Sequence, residues 1–321
     1  MCLLVTYLSA LEYTLSVTAP VFLVVFLGLV LKARHHISED FISTASWLVF
    51  NVCLPLLIFI SMIENAFSWS LQWKIICFSV TSAVVLFVVF WLASRYWVPH
   101  EDRGVVVQGA FRSNLGIIGL ALCAKAFGGE GLAVGALLLA VVTPVFNVLS
   151  VFALNRSLNG VGPMPIAKTL GDTLRNPLII AIILGLVVNQ LDLMMPKVLY
   201  DAGNYLAQMT LPLALIAIGG SLSLRELKTS SGLSVQVVFA KLLIVPVLVL
   251  ISAYSVGFKG VELGCLMLMF ASPTATASFI MVKAMGGNYA LASNIIAIST
   301  LFSGVSISLL LYLSVMLGWL N

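Results

Sequence analysis

Ten apolar runs, each near the roughly 20 residues that a helix needs to cross a bilayer, fill most of this 321-residue chain. Hydrophobic residues make up 61% of the sequence and charged residues only 9%, whereas a soluble domain carries about 25% charge. Helices satisfy their backbone hydrogen bonds internally, as lipid requires. The sequence therefore predicts an all-α membrane protein with ten transmembrane helices. The runs span residues 12–31, 41–63, 73–94, 105–127, 131–154, 176–194, 203–222, 232–256, 262–284 and 289–319.

The composition argues against several other classes of protein. No run of Lys and Arg suggests nucleic-acid binding, and no group of His, Cys and Glu has the spacing of metal ligands. A membrane-embedded enzyme would need a cluster of catalytic side chains within the runs, and none is found in the sequence. We therefore predict no enzyme activity, no cofactor, no metal and no nucleic-acid partner.

The two halves of the chain repeat each other at a nearly constant offset. The word Lys125-Ala126 recurs as Lys283-Ala284, 158 positions later. Each half holds five runs, an odd number, so the second half would enter the membrane upside down, as in an inverted-topology repeat. We predict a first five-helix repeat over 1–154, a cytoplasmic linker over 155–175 and a second, inverted repeat over 176–321. Three further residues recur at an offset of 157, namely Pro20, Gly28 and Pro55 as Pro177, Gly185 and Pro212.

Basic residues predict the orientation of the chain. Ten of the 16 Lys and Arg residues lie in connections after odd-numbered runs, and four lie after even-numbered runs. Because cytoplasmic loops are enriched in Lys and Arg, the odd connections should be cytoplasmic and both termini extracellular or periplasmic. The expected location is the plasma membrane, which in a bacterium is the inner membrane.

Two stretches inside apolar runs contain residues that a membrane helix should avoid: 111–116, with Arg112 and Asn114, and 271–275, with Ser272 and Pro273. Helix-breaking backbone at membrane depth is tolerated only where it is buried in protein or lines a cavity. Asn114 and Ser272 are good N-cap residues, and Pro273 suits a first helical position. Each break should end one half-helix and start another. If the two new N-termini meet near the midplane, their amides would attract an anion.

The remaining candidates are charged or polar side chains within the runs. The forked guanidinium of Arg112 either binds an anion or extends along its aliphatic stem to the membrane interface, which is called snorkelling. Lys241 is either an ion-coupling group or a structural tether to carbonyls freed by a nearby break. Asn51 and Gln208 each precede a proline by four residues, and they either line the cavity or only pack. The predicted substrate-binding set is Arg112, Ser113, Asn114, Gly116, Ser272, Pro273, Thr274, Asn51 and Gln208.

Across essentially its whole length, the chain resembles bacterial members of the auxin efflux carrier family, relatives of the plant PIN-type auxin carriers. Four stretches carry the resemblance: Ser38-Glu39-Asp40, 51–59, 111–119, and 271–273 running into Lys283. The resemblance implies two inverted five-helix repeats with broken, crossing helices 4 and 9, as in the sodium/proton antiporter and bile-acid symporter fold. It also implies an elevator-like mechanism, in which helices 1, 2, 6 and 7 form a scaffold for a mobile transport unit.

The resemblance also bears on the substrate. In the plant carriers a crossover asparagine contacts the substrate carboxylate, and Asn114 matches it; Pro273 matches the proline of the second crossover. Further plant prolines are replaced here, by Ser113, Ala121 and Ser278, and the long cytoplasmic loop is missing.

We therefore predict a secondary transporter of small organic anions, mono- or dicarboxylates, working by alternating access. Because no nucleotide-binding motif occurs, a gradient would have to drive it. The resemblance, through bacterial family members that carry malonate and malate, implies substrates such as these two. The alternatives are efflux of an auxin-like aromatic carboxylate, and a membrane-embedded receptor or sensor without transport. The expected partners are the organic anion and the lipid bilayer. Self-association as a homodimer, the coupling ion and the direction of transport stay open.

Overall fold

The computed structural model describes residues 2–64, 69–158, 177–191, 193, 195–222 and 231–320. Throughout these residues the regular structure is helical, and the one β-type contact is an isolated bridge between two residues. The predicted all-helical class is therefore confirmed. The predicted linker, 155–175, begins within a helix that ends at Ser157, and its part from residue 159 onward lies outside the described residues.

Helices are numbered here in chain order. They are α1 (Cys2–Ala33), α2 (Glu39–Leu48), α3 (Leu54–Glu64), α4 (Trp69–Ala93), α5 (Arg103–Phe111), α6 (Leu120–Ser157), α7 (Pro177–Gln190), α8 (Lys197–Ser221), α9 (Gly232–Phe239), α10 (Val245–Val256), α11 (Gly260–Ala271), α12 (Ala277–Ala284) and α13 (Tyr289–Met316). Three π-helical segments join some of them: Val49–Cys53, Leu115–Gly119 and Ala240–Ile244.

Helix covers part of every apolar run that the sequence predicts, and seven continuous helical stretches in the described residues are long and apolar enough to cross a membrane. Two predicted runs merge in one of these stretches, Leu115–Ser157, which is kinked at Gly128 (φ 60°, ψ −142°). Two other apolar helices, Pro177–Gln190 and Gly260–Ala271, are shorter. The chain is thus a multi-pass helical membrane protein.

Two of the π-helical segments end two residues before a proline. Val49–Cys53 precedes Pro55, and Ala240–Ile244 precedes Pro246. Proline has no N–H to donate and its ring clashes with the carbonyl four residues earlier, so the helix widens there instead of continuing regularly. Each segment carries one of the polar residues singled out in the sequence, Asn51 and Lys241.

Glycines allow two pairs of helices to pack with their backbones nearly in contact. A Cβ added to Gly28 of α1 would lie 2.3 Å from the carbonyl oxygen of Ile216 in α8. A Cβ added to Gly185 of α7 would lie 3.0 Å from the carbonyl oxygen of Phe59 in α3. Helix association in lipid depends on such close van der Waals packing at small residues. Helices α1, α3, α7 and α8 therefore form one tightly packed group.

Candidate functional site

The two broken stretches, 111–116 and 271–275, lie side by side, and the place where they meet is the crossover. Ser113 and Thr274 form an antiparallel bridge. The amide of Asn114 donates to the carbonyl of Pro273 at 2.7 Å, and the amide of Ala275 donates to the carbonyl of Arg112 at 3.3 Å. Backbone groups that the helices cannot pair are thereby satisfied by the opposite break, as a dry interior requires.

The bridge changes where the second half-helix begins. Ser272 caps the end of α11, and α12 begins only at Ala277 with Thr276 as its N-cap. The predicted roles of Ser272 as an N-cap and Pro273 as a first helical residue are therefore wrong. Residues 273–275 stay extended because their backbone groups are paired with the first break.

Asn114 lies at the predicted position before the renewed helix, but its side chain does not form the predicted capping hydrogen bond. It is the residue before the π-helical segment Leu115–Gly119, and its side chain makes no capping hydrogen bond. The side chain is only 6% exposed, and its amide nitrogen Nδ2 has no hydrogen-bond partner among the described residues. A buried donor without a partner costs roughly 1–3 kcal/mol, so a ligand acceptor at this position would be stabilised.

A cavity of about 670 Å³ lies against the crossover. Five residues of the predicted site line it: Asn51, Arg112, Ser113, Asn114 and Gly116. The rest of its wall is mostly apolar, with aromatic rings from Phe50 and Phe146. The first break therefore faces an open cavity large enough for a small organic molecule.

Residues at the start of both renewed helices belong to the cavity wall. Leu115 and Gly116 on one side, and Thr276 and Ala277 on the other, all line the wall. Within the described part of the chain, the amides of these four residues donate to no acceptor. Free amides at helix N-termini carry partial positive charge and favour anions.

Arg112 adds a full positive charge to the cavity wall. Its side chain is only 5% exposed, so it does not reach along its stem to the surface as a snorkelling residue would. One guanidinium nitrogen, Nη2, donates to Oδ1 of Asn147 at 2.7 Å, and Nη1 contacts the sulfur of Met281. Among the described residues the one ion pair is Lys32–Glu39, so this charge has no acidic partner there.

Lys241 is not part of the cavity wall, but it bonds to Ser113, which is. The side chain is fully buried, and its ammonium donates to Oγ of Ser113 and to the carbonyl of Phe270, the latter at 3.0 Å. The hydroxyl of Ser113 in turn donates to the same carbonyl at 3.1 Å. These contacts are those expected of a tether between the two breaks.

The other predicted residues do not reach the cavity wall. The side chain of Ser272 donates to its own helix. Thr274 is held on both sides, because its hydroxyl donates to the carbonyl of Gly109 at 2.7 Å and its amide donates to Ser299 at 3.1 Å. Pro273 contributes its carbonyl to the bridge, and Gln208 is exposed on α8. These side chains support the crossover or lie apart from it.

Three polar residues of the wall were not predicted: Thr143, Asn147 and Thr276. Thr143 and Asn147 are four residues apart in α6, a spacing that places both on one face of a helix. That spacing of polar side chains inside an apolar run is a signal that could have found them. Thr276 follows a break whose end could not be located from residue types alone.

A second cavity, of about 560 Å³, adjoins the first. Phe50, Asn51, Thr276, Ala277 and Ile280 line both cavities. From there the second cavity runs past Ser46 of α2 toward Ser221, the last residue of α8. The two cavities therefore form a path from the crossover toward the C-terminal end of α8.

Comparison with known proteins decides the family. The model of a family described as "Membrane transport protein" matches residues 14–160 and 165–311. The chain belongs to this family. It is the family of the auxin efflux carriers, so the resemblance noted in the sequence is confirmed, and the protein is a membrane transporter and not an enzyme.

Two relatives match over nearly the whole chain. One is an "Uncharacterized transporter" of Methanothermobacter thermautotrophicus, 26% identical over 94% of this chain and 98% of its own. The other is a "Putative malonate transporter" of Rhizobium meliloti, 28% identical over 92% of this chain and 93% of its own. Similarity to this membrane transport protein family therefore extends through both halves of the chain.

Proposed function

We propose that this membrane transport protein is a secondary transporter of small organic anions and that the crossover cavity holds the substrate. The observation that carries the proposal is the guanidinium of Arg112. It is buried in the cavity wall without an acidic partner among the described residues. A buried charge is expensive unless it is paired, and a substrate carboxylate would supply the missing partner through the forked geometry that guanidinium groups favour.

Neutral donors around the cavity support the same class of substrate. Leu115, Gly116, Thr276 and Ala277 line the space at the starts of two half-helices, and their amides have no acceptor among the described residues. The unpaired Nδ2 of Asn114 adds a side-chain donor at the crossover. Several donors in one wall suit an anion with several acceptor oxygens.

We propose mono- or dicarboxylates, such as malonate or malate, as the substrates. The name of the Rhizobium meliloti relative supports a dicarboxylate. The cavity itself favours a second candidate, an auxin-like aromatic monocarboxylate. Its volume of about 670 Å³ far exceeds what a three-carbon diacid fills, and Phe50 and Phe146 could pack against a ring.

For the architecture we propose ten membrane crossings in two inverted repeats, 1–154 and 176–321, with helices 4 and 9 broken. Two helix contacts support this symmetry. Gly28 packs on Ile216, and Gly185 packs on Phe59. Gly28 and Gly185 are 157 positions apart, and so are Phe59 and Ile216. Exchanging the two halves therefore turns one contact into the other.

We further propose an elevator-like mechanism with α1, α2, α3, α7 and α8 as the scaffold. The cavity lies between this group and the rest, because Phe50 and Leu178 line it from one side and Arg112 and Asn147 from the other. A site between two bodies can change its access when one body slides past the other. This supports alternating access rather than a fixed receptor pocket.

The orientation that we propose places both termini outside the plasma membrane, with the odd-numbered connections in the cytoplasm. The second cavity then extends toward the cytoplasmic side, since Ser221 is the last residue of α8 and adjoins the odd-numbered connection that follows the seventh run. A reporter that is active only outside the cytoplasm should be active when it is fused to the carboxyl terminus, and a reporter that is active only in the cytoplasm should be inactive there. A carboxyl terminus in the cytoplasm would contradict this orientation.

The function is tested by ligand binding followed by transport. Malonate, malate and indole-3-acetate should each be titrated against the purified protein while its melting temperature is followed. At about ten times Kd, mass action gives roughly 1.4 kcal/mol of stabilisation, which raises the melting temperature by about 3 °C. The stabilising anion should also accumulate in proteoliposomes, and its uncharged methyl ester should do neither. Binding without uptake would favour a receptor, and no response to any of the anions would contradict the proposal.

A further inference from the structure

The mechanism so far leaves one buried charge unused, the ammonium of Lys241. It lies in the π-helical segment Ala240–Ile244, is fully buried, and is not part of the cavity wall. Its two acceptors come from both breaks: Oγ of Ser113 from the first, and the carbonyl of Phe270 from the second. The side chain therefore bonds to the crossover itself.

The position of these acceptors is one that suits a cation. Phe270 is the next-to-last residue of α11, and the break leaves carbonyls at this helix end without intrahelical partners. Helix C-termini carry partial negative charge. In transporters with broken helices, carbonyls of unwound backbone and of such helix ends coordinate the coupling Na⁺. Here these oxygens are taken by an ammonium.

No group of acidic side chains is gathered at the crossover within the described residues. Among the described residues no group of three or more His, Cys, Asp or Glu is positioned to hold a metal. The residues that surround the crossover offer hydroxyl and carbonyl oxygens, and two of these already accept from Lys241. A Na⁺ at this position would meet a fixed positive charge.

We infer that Lys241 is a built-in cation of the crossover, occupying the position of a coupling ion, so that the transporter neither binds Na⁺ there nor is driven by it. Ser113 connects the two places, because it lines the anion cavity and its hydroxyl accepts from the ammonium of Lys241. The crossover thus carries its own counter-charge for an anion. Only the statement about driving force rests on the proposed transport function.

The first test uses the unmodified protein and needs no substrate. Its melting temperature should be the same in NaCl, KCl and N-methylglucamine chloride at equal ionic strength. A rise that is specific to Na⁺ and saturates with its concentration would overturn the inference. Where an anion is transported, its uptake should change less than about twofold when an inward Na⁺ gradient is replaced by one of K⁺, since a tenfold gradient would otherwise contribute about 1.4 kcal/mol per ion.

The second test replaces the ammonium. Lys241→Ala should melt at a lower temperature than the native protein, and methylammonium at about ten times its Kd should restore about 3 °C. Lys259→Ala is the matched control, because Lys259 is exposed at the other end of α11. Equal responses of the two variants to methylammonium would overturn the inference. If Lys241→Ala does not fold, the Na⁺ titration of the native protein still decides it.

Discussion

The substitution Arg112→Gln is expected to weaken binding of the substrate anion by roughly 100-fold while the protein stays folded. Removing one partner of a buried, hydrogen-bonded charge pair costs about 2–5 kcal/mol of binding free energy, and each 1.4 kcal/mol is a factor of ten. Glutamine keeps a donor toward Oδ1 of Asn147, the present partner of the guanidinium. Because the substitution removes an unpaired buried charge, the melting temperature without ligand should not fall.

Two further variants separate charge from shape. Arg112→Lys keeps the charge but replaces the fork by a point charge, so it should recover only part of the affinity. Arg95→Gln makes the same chemical change at an exposed residue outside the cavity and should bind normally. Titration calorimetry with the anion found in the binding screen measures all three. If Arg112→Gln binds within about threefold of the native protein, the guanidinium is not the anchor of the anion.

That the two breaks meet could be predicted from the sequence. Residues that disrupt a helix stand inside apolar runs in both halves, and the motifs that follow them, at Lys125 and Lys283, repeat at one offset. In lipid, backbone groups released by a break must find protein partners or a cavity. In the structure each break provides a backbone acceptor for an amide of the other break. The amide of Asn114 donates to Pro273, and the amide of Ala275 donates to Arg112.

The residue at which the helix after the second break begins could not be predicted from the sequence, because it depends on tertiary hydrogen bonds. Ser272 and Pro273 suit a helix start by residue type. The competing partner is the backbone of 112–114, which holds 273–275 extended and delays the helix to Ala277. A single sequence shows which residues can cap a helix. It does not show which distant segment, here 112–114, will form hydrogen bonds with their backbone.

Polar residues before prolines were informative about the backbone and less so about side-chain direction. Asn51 and Lys241 both lie in π-helical segments ahead of prolines, as the expected disruption suggests. Only Asn51 faces the cavity, and Gln208, at the matching place in the second half, is exposed. The direction of a side chain depends on how its helix is rotated against its neighbours, which spacing from a proline does not determine.

The substitution Asn147→Asp is expected to abolish most anion binding without removing any positive charge. Oδ1 of Asn147 already accepts from Nη2 of Arg112 at 2.7 Å, so a carboxylate of nearly the same shape would pair with the guanidinium at once. The substrate would then compete with a permanent internal counter-ion, and we expect a loss of affinity of roughly 100-fold. The melting temperature should be maintained or raised, since a buried charge has gained its partner.

A double-mutant cycle decides whether the new carboxylate acts through Arg112. In the native background Asn147→Asp should leave the melting temperature unchanged or higher, but combined with Arg112→Gln it should lower it, because a buried carboxylate is then unpaired. Asn147→Ala removes the acceptor without adding charge and should reduce affinity far less than Asn147→Asp. If Asn147→Asp binds the anion as the native protein does, the substrate does not depend on the charge of Arg112. The anion would then have to be held by the helix N-termini at Leu115 and Ala277 alone.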